Sequence, residues 1–265
     1  MSKGILSVVA LFLILINQSA AKESYVFGIV PQQSSSKLAK TWGPIVNYIK
    51  ETTGITLRFA TAKSIPDFEK NLAKGMYDFS YMNPHHYVVF NKHAGYRAFA
   101  KAKDKKIHGI IVVHKDSGIQ SINELNNKVI AFPSPLAFAA TLLNKSELKK
   151  NRVEVNSKYV KSHDSVYRNV AAKNFVAGGG VIRTYKAAEK DVRDNLRILY
   201  KTNGYTPHAF AALPSVDREV VKKVTHAMVD MERSEQGKEL LKTLKIKGII
   251  PASDKDWNDV RKIRY

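Results

Sequence analysis

The chain has 265 residues, of which 44% are hydrophobic and 25% charged, with 14 Gly, 9 Pro and no Cys. This composition is typical of a globular protein with one large or two modest cores, and it excludes disordered and collagen-like chains. The lack of Cys excludes disulfides, thiolate zinc sites, a cysteine nucleophile and an N-terminal cysteine that could carry a lipid anchor.

The N-terminus has the pattern of a secretory signal peptide. Lys3 precedes an apolar run over residues 5–16 that only Ser7 interrupts, and the small residues 19–21 follow it. The run is short for a membrane span, so an uncleaved anchor is the less favoured alternative. We therefore predict a signal peptide over residues 1–21, cleaved after Ala21, and a soluble, exported mature protein.

The net charge of +20 comes from 43 Lys and Arg against 23 Asp and Glu. Such a charge can indicate nucleic-acid binding, but here the lysines are scattered, without a basic arm or a basic-aromatic stripe. We expect no nucleic-acid partner, and a positive field that attracts anions or an anionic envelope surface. The following lysines are expected on solvated helix faces: Lys70, Lys74, Lys101, Lys103, Lys105, Lys106, Lys149, Lys150, Lys222, Lys223, Lys242, Lys245 and Lys247.

The first half of the mature chain alternates short apolar runs with helical patterns. Strands are predicted over residues 25–30, 55–60 and 78–81, and helices over 36–51, over 64–74 and from 83 onward. The helix over 36–51 places Leu38, Trp42, Ile45, Val46 and Ile49 on one face. Ser64 and Asn83 have the side chains of helix N-caps, and Pro84 fits the first helical position. Strands separated by single helices indicate a parallel sheet.

The second half repeats this alternation. Strands are predicted over residues 109–114, 128–132, 153–160, 175–180, 197–200 and 208–213, and helices over 121–125, 136–148, 163–172, 184–194, 217–233 and 235–245. The simplest architecture that accommodates both halves is α/β, with two αβ lobes and a cleft between them. Ligands of such sheets bind beyond the carboxyl ends of the strands, where helices begin.

Three strand-to-helix corners carry the candidate ligand-binding residues. Tyr81 and Asn83 lie at the first, Ser134 lies at the second, and the third contains His163, Asp164 and Ser165. Free backbone N–H groups at helix starts suit an oxyanion. Each corner also has a purely structural interpretation, because Asn83 and residues 163–165 are good capping residues and Ser134 stands between two prolines.

Two features follow the third corner. Gly178, Gly179 and Gly180 lack the strand and lysine context of a phosphate loop, so we predict a hinge or turn beside the cleft. Arg183 could bind a phosphorus or carboxyl oxyanion through its guanidinium fork, or could be an exposed structural arginine.

The same residues give little support to an enzyme. Residues 163–165 have the residue types of a hydrolytic triad, but neighbours in sequence cannot adopt its geometry. His85 and His86 are adjacent, so one helix face cannot present both to a metal. A metal-dependent hydrolase built on His85, His163 and His208 remains the alternative. We expect no catalytic residue, metal or cofactor.

Six segments, taken in order, resemble the phosphate/phosphite/phosphonate substrate-binding protein family of the PhnD type. They cover nearly the whole mature chain: residues 28–31, Trp42-Gly43-Pro44 with Tyr48, Thr53-Gly54, residues 77–84, residues 131–135 and residues 162–167. The resemblance implies a type II periplasmic binding protein whose two lobes are joined by a two-strand hinge. It also implies a return of the chain to the first lobe near residues 205–210.

The resemblance implies a function as well. The protein would capture a small oxyanion of the phosphonate, phosphite or phosphate type in the periplasm and deliver it to an ABC transporter permease. The family's anion contacts fall on Tyr81, the Ser134 loop, His163 and Asp164. We expect a monomer with a first lobe of residues 22–108 and 208–265, and a second of residues 109–207.

The sequence departs from the family at two places. Pro135-Leu136-Ala137-Phe138 stands where phosphonate binders have a Ser/Thr-rich loop, and residues 177–181 lack the polar contact that transporter members commonly keep. Proline offers no amide donor and leucine no hydroxyl. The alternative function is therefore a ligand-sensing module of the same fold whose partner is a membrane signalling receptor.

Overall fold

A computed structural model describes residues 23–263, so the predicted signal peptide lies outside the described residues. Within this range the strands are β1 (Tyr25–Ile29), β2 (Leu57–Ala60), β3 (Phe79–Met82), β4 (Arg97–Ala102), β5 (Gly109–His114), β6 (Val129–Phe132), β7 (Asn156–Tyr159), β8 (Ala177–Val181), β9 (Leu196–Lys201), β10 (Ala209–Ala212) and β11 (Ile249–Pro251). They form two separate sheets, as expected for two αβ lobes.

The α-helices are α1 (Ser35–Thr53), α2 (Ile65–Ala73), α3 (Pro84–His93), α4 (Asn144–Lys150), α5 (His163–Ala171), α6 (Ile182–Lys186), α7 (Lys190–Asp194), α8 (Arg218–Asp230), α9 (Glu235–Thr243) and α10 (Asn258–Arg261). Short 3-10 turns cover Ile122–Leu125, Met231–Arg233 and Asp254–Trp257, and a π-helix covers Phe138–Leu143. Over residues 23–263 none of these helices has the length and apolarity needed to cross a membrane.

The first sheet has the strand order β11-β4-β10-β3-β1-β2. β1 pairs in parallel with β2 and β3, whereas β10 is antiparallel to both β3 and β4. The prediction of a parallel sheet is correct for the three N-terminal strands and wrong for the rest. The sheet is mixed because the chain returns from the other lobe before β10, which inserts between β3 and β4 antiparallel to both.

Helix α1 packs on this sheet through the face that the sequence predicts. Its buried residues include all five members of that face, and Gly54 ends the helix in the left-handed conformation with φ 73°. The predicted caps of α2 and α3 are also present: Ser64 accepts from the backbone N–H of Asp67, and Asn83 from that of His86.

The second sheet has the order β7-β6-β8-β5-β9. β6 is parallel to β7 and β8, while β5 is antiparallel to β8 and β9. The helix predicted over residues 184–194 is two helices, since N–H groups of Ala187 and Ala188 close α6 and Glu189 returns to an extended backbone. The strand predicted from residue 153 begins at Asn156, because the N–H of Val153 bonds back to the carbonyl of Leu148.

The triple glycine lies in the middle of β8, so its interpretation as a hinge or turn is wrong. A Cβ on Gly178 would lie 2.4 Å from a side-chain carbon of Val166, and one on Gly179 would lie 2.1 Å from the carbonyl oxygen of Ala140. On Gly180 it would lie 2.3 Å from the hydroxyl of Tyr167. These glycines let α5 and the π-helix pack directly on the sheet.

Two chain segments connect the sheets, one between β4 and β5 and one between β9 and β10. The segments pair with each other, since Ile107 N–H donates to Tyr205 O at 2.8 Å and Tyr205 N–H donates to Ile107 O at 3.0 Å. This is the two-strand hinge that the resemblance implies, and we call it the hinge below.

Gly179→Ala should lower the free energy of unfolding by about 1–3 kcal/mol or more, because the new methyl group overlaps a backbone oxygen rather than a flexible side chain. Gly118→Ala is the matched control, since Gly118 has open space around its Cβ position and should change stability by less than about 0.5 kcal/mol. Urea unfolding compares the two. Equal effects would show that β8 tolerates a Cβ at this point.

Candidate ligand-binding cleft

Strand ends and helix starts of both lobes face each other at the cleft. Asn83 follows β3 in the first lobe and caps α3. In the second lobe Ser134 follows β6, and Ser162 follows β7 and caps α5, at whose first position His163 stands. Two of the three predicted corners therefore open a capped helix. The Ser134 corner differs, because the chain enters a π-helix only at Phe138.

Polar contacts cross the cleft and hold the lobes together. The backbone N–H of Ser34 donates to Asp164 Oδ2 at 3.2 Å, and Asn83 Nδ2 donates to the carbonyl of Leu136 at 3.3 Å. Arg183 donates to the side-chain oxygen of Gln32. These contacts define a closed form in which the two lobes touch through buried or half-buried polar groups.

Two further contacts cross the cleft closer to the surface. Lys37 pairs with Glu189 at 3.4 Å, and Lys245 Nζ donates to the carbonyl of Lys186 at 2.9 Å. Exposed pairs of this kind contribute little, typically about 0–1 kcal/mol. The partly buried contacts of Asp164, Asn83 and Arg183 are therefore the stronger polar contacts between the lobes.

A central cavity of about 10 Å³ remains between the lobes. It is lined by Val30, Gln32, Ile65, Asn83, Ile107, Ala137, Phe138, Ala139, Ala140, His163, Val181 and His208. This volume is roughly that of one water molecule. A phosphorus oxyanion needs more space than the central cavity offers in the closed form.

His163 is buried in the wall of this cavity and is neutral. Its Nδ1 lies 3.2 Å from the hydroxyl oxygen of Thr184, which in turn lies 2.8 Å from that of Tyr167. Burial, together with the positive charge of Arg183, lowers the pKa of His163 to about 3. The imidazole is therefore a hydrogen-bonding group at neutral pH and not a charged anion contact.

Tyr81 forms an aromatic wall with His208. Their rings stack at 4.9 Å between centroids, and the rings of Trp42 and Phe210 pack on Tyr81 at 4.8 Å each. Burial raises the pKa of Tyr81, while the charge of Arg183 opposes the rise. Burial and the charge of Arg183 also hold the pKa of His208 well below its usual range. At neutral pH Tyr81 keeps its proton and can donate it in a hydrogen bond.

Ser134, Asp164 and Ser165 lie outside the central cavity. The Oγ of Ser134 is buried without a hydrogen-bond partner among the described residues, and so is Oδ1 of Asp164. Asp164 makes a contact between the lobes through its other oxygen. The backbone N–H of Ser165 donates to the hydroxyl of Ser162, the N-cap of α5, and that hydroxyl donates to Ser165 Oγ, so Ser165 takes part in the cap.

Arg183 lies in the wall of a larger cavity of about 480 Å³ beside the hinge, which we call the basic pocket. Its lining is Tyr81, Ala102, Lys105, Lys106, Ile107, His108, Val181, Ile182, Arg183, Lys186, Lys201, Pro207, His208, Lys245 and Ile246. Six of these residues are Lys or Arg, and none is Asp or Glu. The volume is in the range of pockets that bind small molecules.

The basic pocket corrects one prediction from the sequence. Lys105, Lys106 and Lys245 were expected on solvated helix faces, but Lys105 and Lys106 lie in the hinge and Lys245 follows the end of α9. The spacing of these lysines in the sequence could not predict the pocket, because segments that are far apart in the chain bring them together. The sequence also did not single out Gln32, which accepts from Arg183, or His108, Lys186 and Lys201 of the basic pocket.

Residues 23–263 contain no group of three or more His, Cys, Asp or Glu side chains that could hold a metal ion. His85, His163 and His208 therefore do not form the cluster that a metal-dependent hydrolase needs. Burial lowers the pKa of His85 to about 4, with a further contribution from His86.

Two αβ lobes, a closed cleft at their strand ends and a two-strand hinge define a type II periplasmic binding protein. The model of the family "ABC transporter, phosphonate, periplasmic substrate-binding protein" matches residues 27–257. The chain belongs to this family, as the resemblance in the sequence indicated.

Solved structures share the fold at low sequence identity. The PhnD1 protein of Prochlorococcus marinus in complex with methylphosphonate has a TM-score of 0.84 at 16% identity and covers 91% of this chain and 96% of its own. A binding protein component of an ABC phosphonate transporter from Pseudomonas aeruginosa has a TM-score of 0.83 at 15% identity, with coverages of 91% and 85%. No curated protein sequence matches this chain significantly.

A third similar fold comes from Xanthomonas citri, whose protein has been solved with chloride and with ATP. The ATP complex has a TM-score of 0.70 at 15% identity and covers 91% of this chain and 95% of its own. The chloride complex has a TM-score of 0.72 at 14% identity, with coverages of 91% and 96%.

Asp164→Ala should shift the unliganded protein toward an open form, because it removes the contact between the buried Asp164 carboxylate and the backbone N–H of Ser34. Small-angle X-ray scattering should then give a larger radius of gyration than that of the wild type. Glu189→Ala is the control, since it removes an exposed contact between the same lobes and should leave the radius unchanged. An unchanged radius for Asp164→Ala would show that this contact does not hold the lobes closed.

Proposed function

We propose that the protein captures a small phosphorus oxyanion, of the phosphonate, phosphite or phosphate type, and delivers it to an ABC transporter permease. The observation that carries this proposal is Arg183 in the wall of the basic pocket. Its guanidinium donates to the neutral Gln32 and has no carboxylate partner within the described residues. A guanidinium fork matches the spacing of phosphorus-bound oxygens and can bind them with two parallel hydrogen bonds.

The rest of the site supports an anionic ligand. Tyr81 keeps its proton because burial raises its pKa, so it can donate a hydrogen bond beside Arg183 in the same wall. The family is one of phosphonate-binding proteins, and the Prochlorococcus marinus and Xanthomonas citri proteins described above were solved with methylphosphonate, chloride and ATP, which are anions. Ser134, His163 and Asp164 act in this proposal as structural support and in closure.

Binding would act through the relative positions of the lobes. We propose a first lobe of residues 22–108 and 208–265 and a second of residues 109–207, a division supported by the strand membership of the two sheets. The basic pocket takes its walls from both lobes and the hinge, so a ligand there favours the closed form over the open one. The family consists of binding proteins, and we propose that the ligand leaves the cleft chemically unchanged.

We propose the periplasm as the site of action, after cleavage of the signal peptide behind Ala21, with the protein acting as a monomer. The family is periplasmic, and the apolar run of residues 5–16 supports export.

Phosphate, phosphite, methylphosphonate and aminoethylphosphonate should stabilise the exported protein in a thermal-shift assay. Small monocarboxylates should stabilise it less, because they offer two oxygens and one negative charge to the cations of the basic pocket. A ligand at about 100 times its dissociation constant adds about 2.7 kcal/mol. For a protein of this size the melting temperature should rise by roughly 5–10 °C.

Arg183→Met should abolish this shift, because it removes the guanidinium and keeps a side chain of similar length. Arg218→Met is the matched control, since Arg218 is an exposed residue at the start of α8. A shift that survives in Arg183→Met, or no shift of the wild type with any phosphorus anion, would contradict the proposal.

A further inference from the structure

The lysines of the segment leading into the hinge differ in their partners. Lys101, Lys103 and Lys106 each lie within ion-pair distance of an aspartate or glutamate of the first lobe. Lys105 has no such partner among residues 23–263, and its Nζ donates to the carbonyl oxygen of Lys245 at 2.5 Å. The lysine that is half-buried in the pocket wall is therefore the one without a carboxylate.

Three lysines from different parts of the chain form a cationic cluster at this point, consisting of Lys105, Lys186 and Lys245. Lys105 comes from the hinge, Lys186 from α6 of the second lobe and Lys245 from the end of α9 in the first lobe. Lys245 donates in turn to the carbonyl of Lys186 at 2.9 Å. Backbone carbonyls orient two of these ammonium groups, and no carboxylate within the described residues neutralises any of the three.

Burial and mutual repulsion lower the pKa of two members of the cationic cluster, Lys105 and Lys245. Burial and the charges of Arg183, Lys186 and Lys245 lower the pKa of Lys105 to about 8. Burial and neighbouring charges, including those of Arg183 and Lys186, also lower the pKa of Lys245. An anion among these groups would relieve their mutual repulsion, because each lysine regains a favourable charge partner.

The charge and size of the basic pocket exceed what one phosphorus group can satisfy. Near neutral pH a phosphate or phosphonate carries at most two negative charges, and it would leave the cationic cluster unneutralised if Arg183 held it. The pocket volume of about 480 Å³ leaves room beside such a group, and Lys201 adds a further lysine at the rim.

We propose that the basic pocket binds a chain of linked phosphate groups, with one phosphorus group at Arg183 and the others at the cationic cluster of Lys105, Lys186 and Lys245. This inference rests on the proposed function and names the substrate class of the same site. A free oligophosphate and the triphosphate of a nucleotide share this chemistry. The ligand touches both lobes and the hinge, so its binding and the closure of the cleft are one event.

A proton-uptake signature follows from the cluster. Bound phosphates favour the charged form of Lys105, so they raise its pKa above about 8 and the protein takes up protons on binding at that pH. The groups that face Lys105 across the pocket are Tyr81, Lys106, His108, Arg183, Lys186, Lys201, His208 and Lys245.

Isothermal titration of the exported protein with tripolyphosphate, pyrophosphate, phosphate and methylphosphonate at one ionic strength tests the proposal. Tripolyphosphate should bind at least about tenfold more tightly than methylphosphonate, since each added charge-assisted hydrogen bond contributes on that scale. Lys105→Met should weaken tripolyphosphate binding about tenfold and methylphosphonate binding by a clearly smaller factor, because only the longer ligand reaches the cationic cluster. The ratio of wild-type to variant affinity should fall from pH 7 to pH 9, because Lys105 loses its charge in the free wild type.

Lys103→Met is the control, because Lys103 lies two residues away and pairs with Glu232 outside the pocket. It should change neither affinity. A parallel titration with ATP separates the sources of the phosphate chain: tighter binding than that of tripolyphosphate supports a nucleotide, and weaker binding supports a free oligophosphate.

Methylphosphonate that binds as tightly as tripolyphosphate, or tripolyphosphate binding that is unaffected in Lys105→Met, would overturn this inference and leave the proposed function intact. Failure of every phosphorus anion to bind the wild type would overturn both.

Discussion

The backbone pairing of Ile107 with Tyr205 is the interaction on which the arrangement of the site depends. It joins the two segments that cross between the lobes, and it fixes where their flanking residues lie. Lys105 precedes Ile107 in the chain, and His208 follows Tyr205. The pairing of Ile107 with Tyr205 therefore brings a lysine and the ring that stacks on Tyr81 into the wall of the same pocket. An opening of the lobes about this pair would separate Arg183 from Gln32 and leave the hinge residues together.

The sequence predicts most of the first lobe because its signals are local. The buried face of α1 and the caps Ser64 and Asn83 follow from spacing and from hydrogen bonds within one turn. Strands β4 and β11 could not be predicted in this way, since Arg97–Ala102 mixes charged and small residues and becomes a strand by pairing with β10 and β11. The glycines of β8 are explained only by the side chains that pack on them.

In the candidate site, too, local features could be predicted from the sequence and features that depend on tertiary contacts could not. The positions of Tyr81, Asn83, His163 and Arg183 could be predicted from the sequence because these residues stand at or just after the ends of strands, and their roles in the site are part of the proposed function. Their protonation states could not be predicted, since the neutral form of His163 results from burial and from the charge of Arg183, which a different helix of the same lobe brings near. The cationic cluster joins three distant segments, and its members look like ordinary surface lysines until the chain is folded.

The position of Trp42 has an optical consequence. The chain contains two tryptophans, and the ring of Trp42 lies 4.8 Å from that of Tyr81, on whose pocket side the ligand would bind. Trp257 packs instead on Tyr87, whose hydroxyl donates to Asp254. Trp42 thus lies directly behind the cleft wall, whereas Trp257 lies among other residues. The fluorescence of Trp42 should therefore respond to occupation of the cleft, and that of Trp257 should serve as an internal reference.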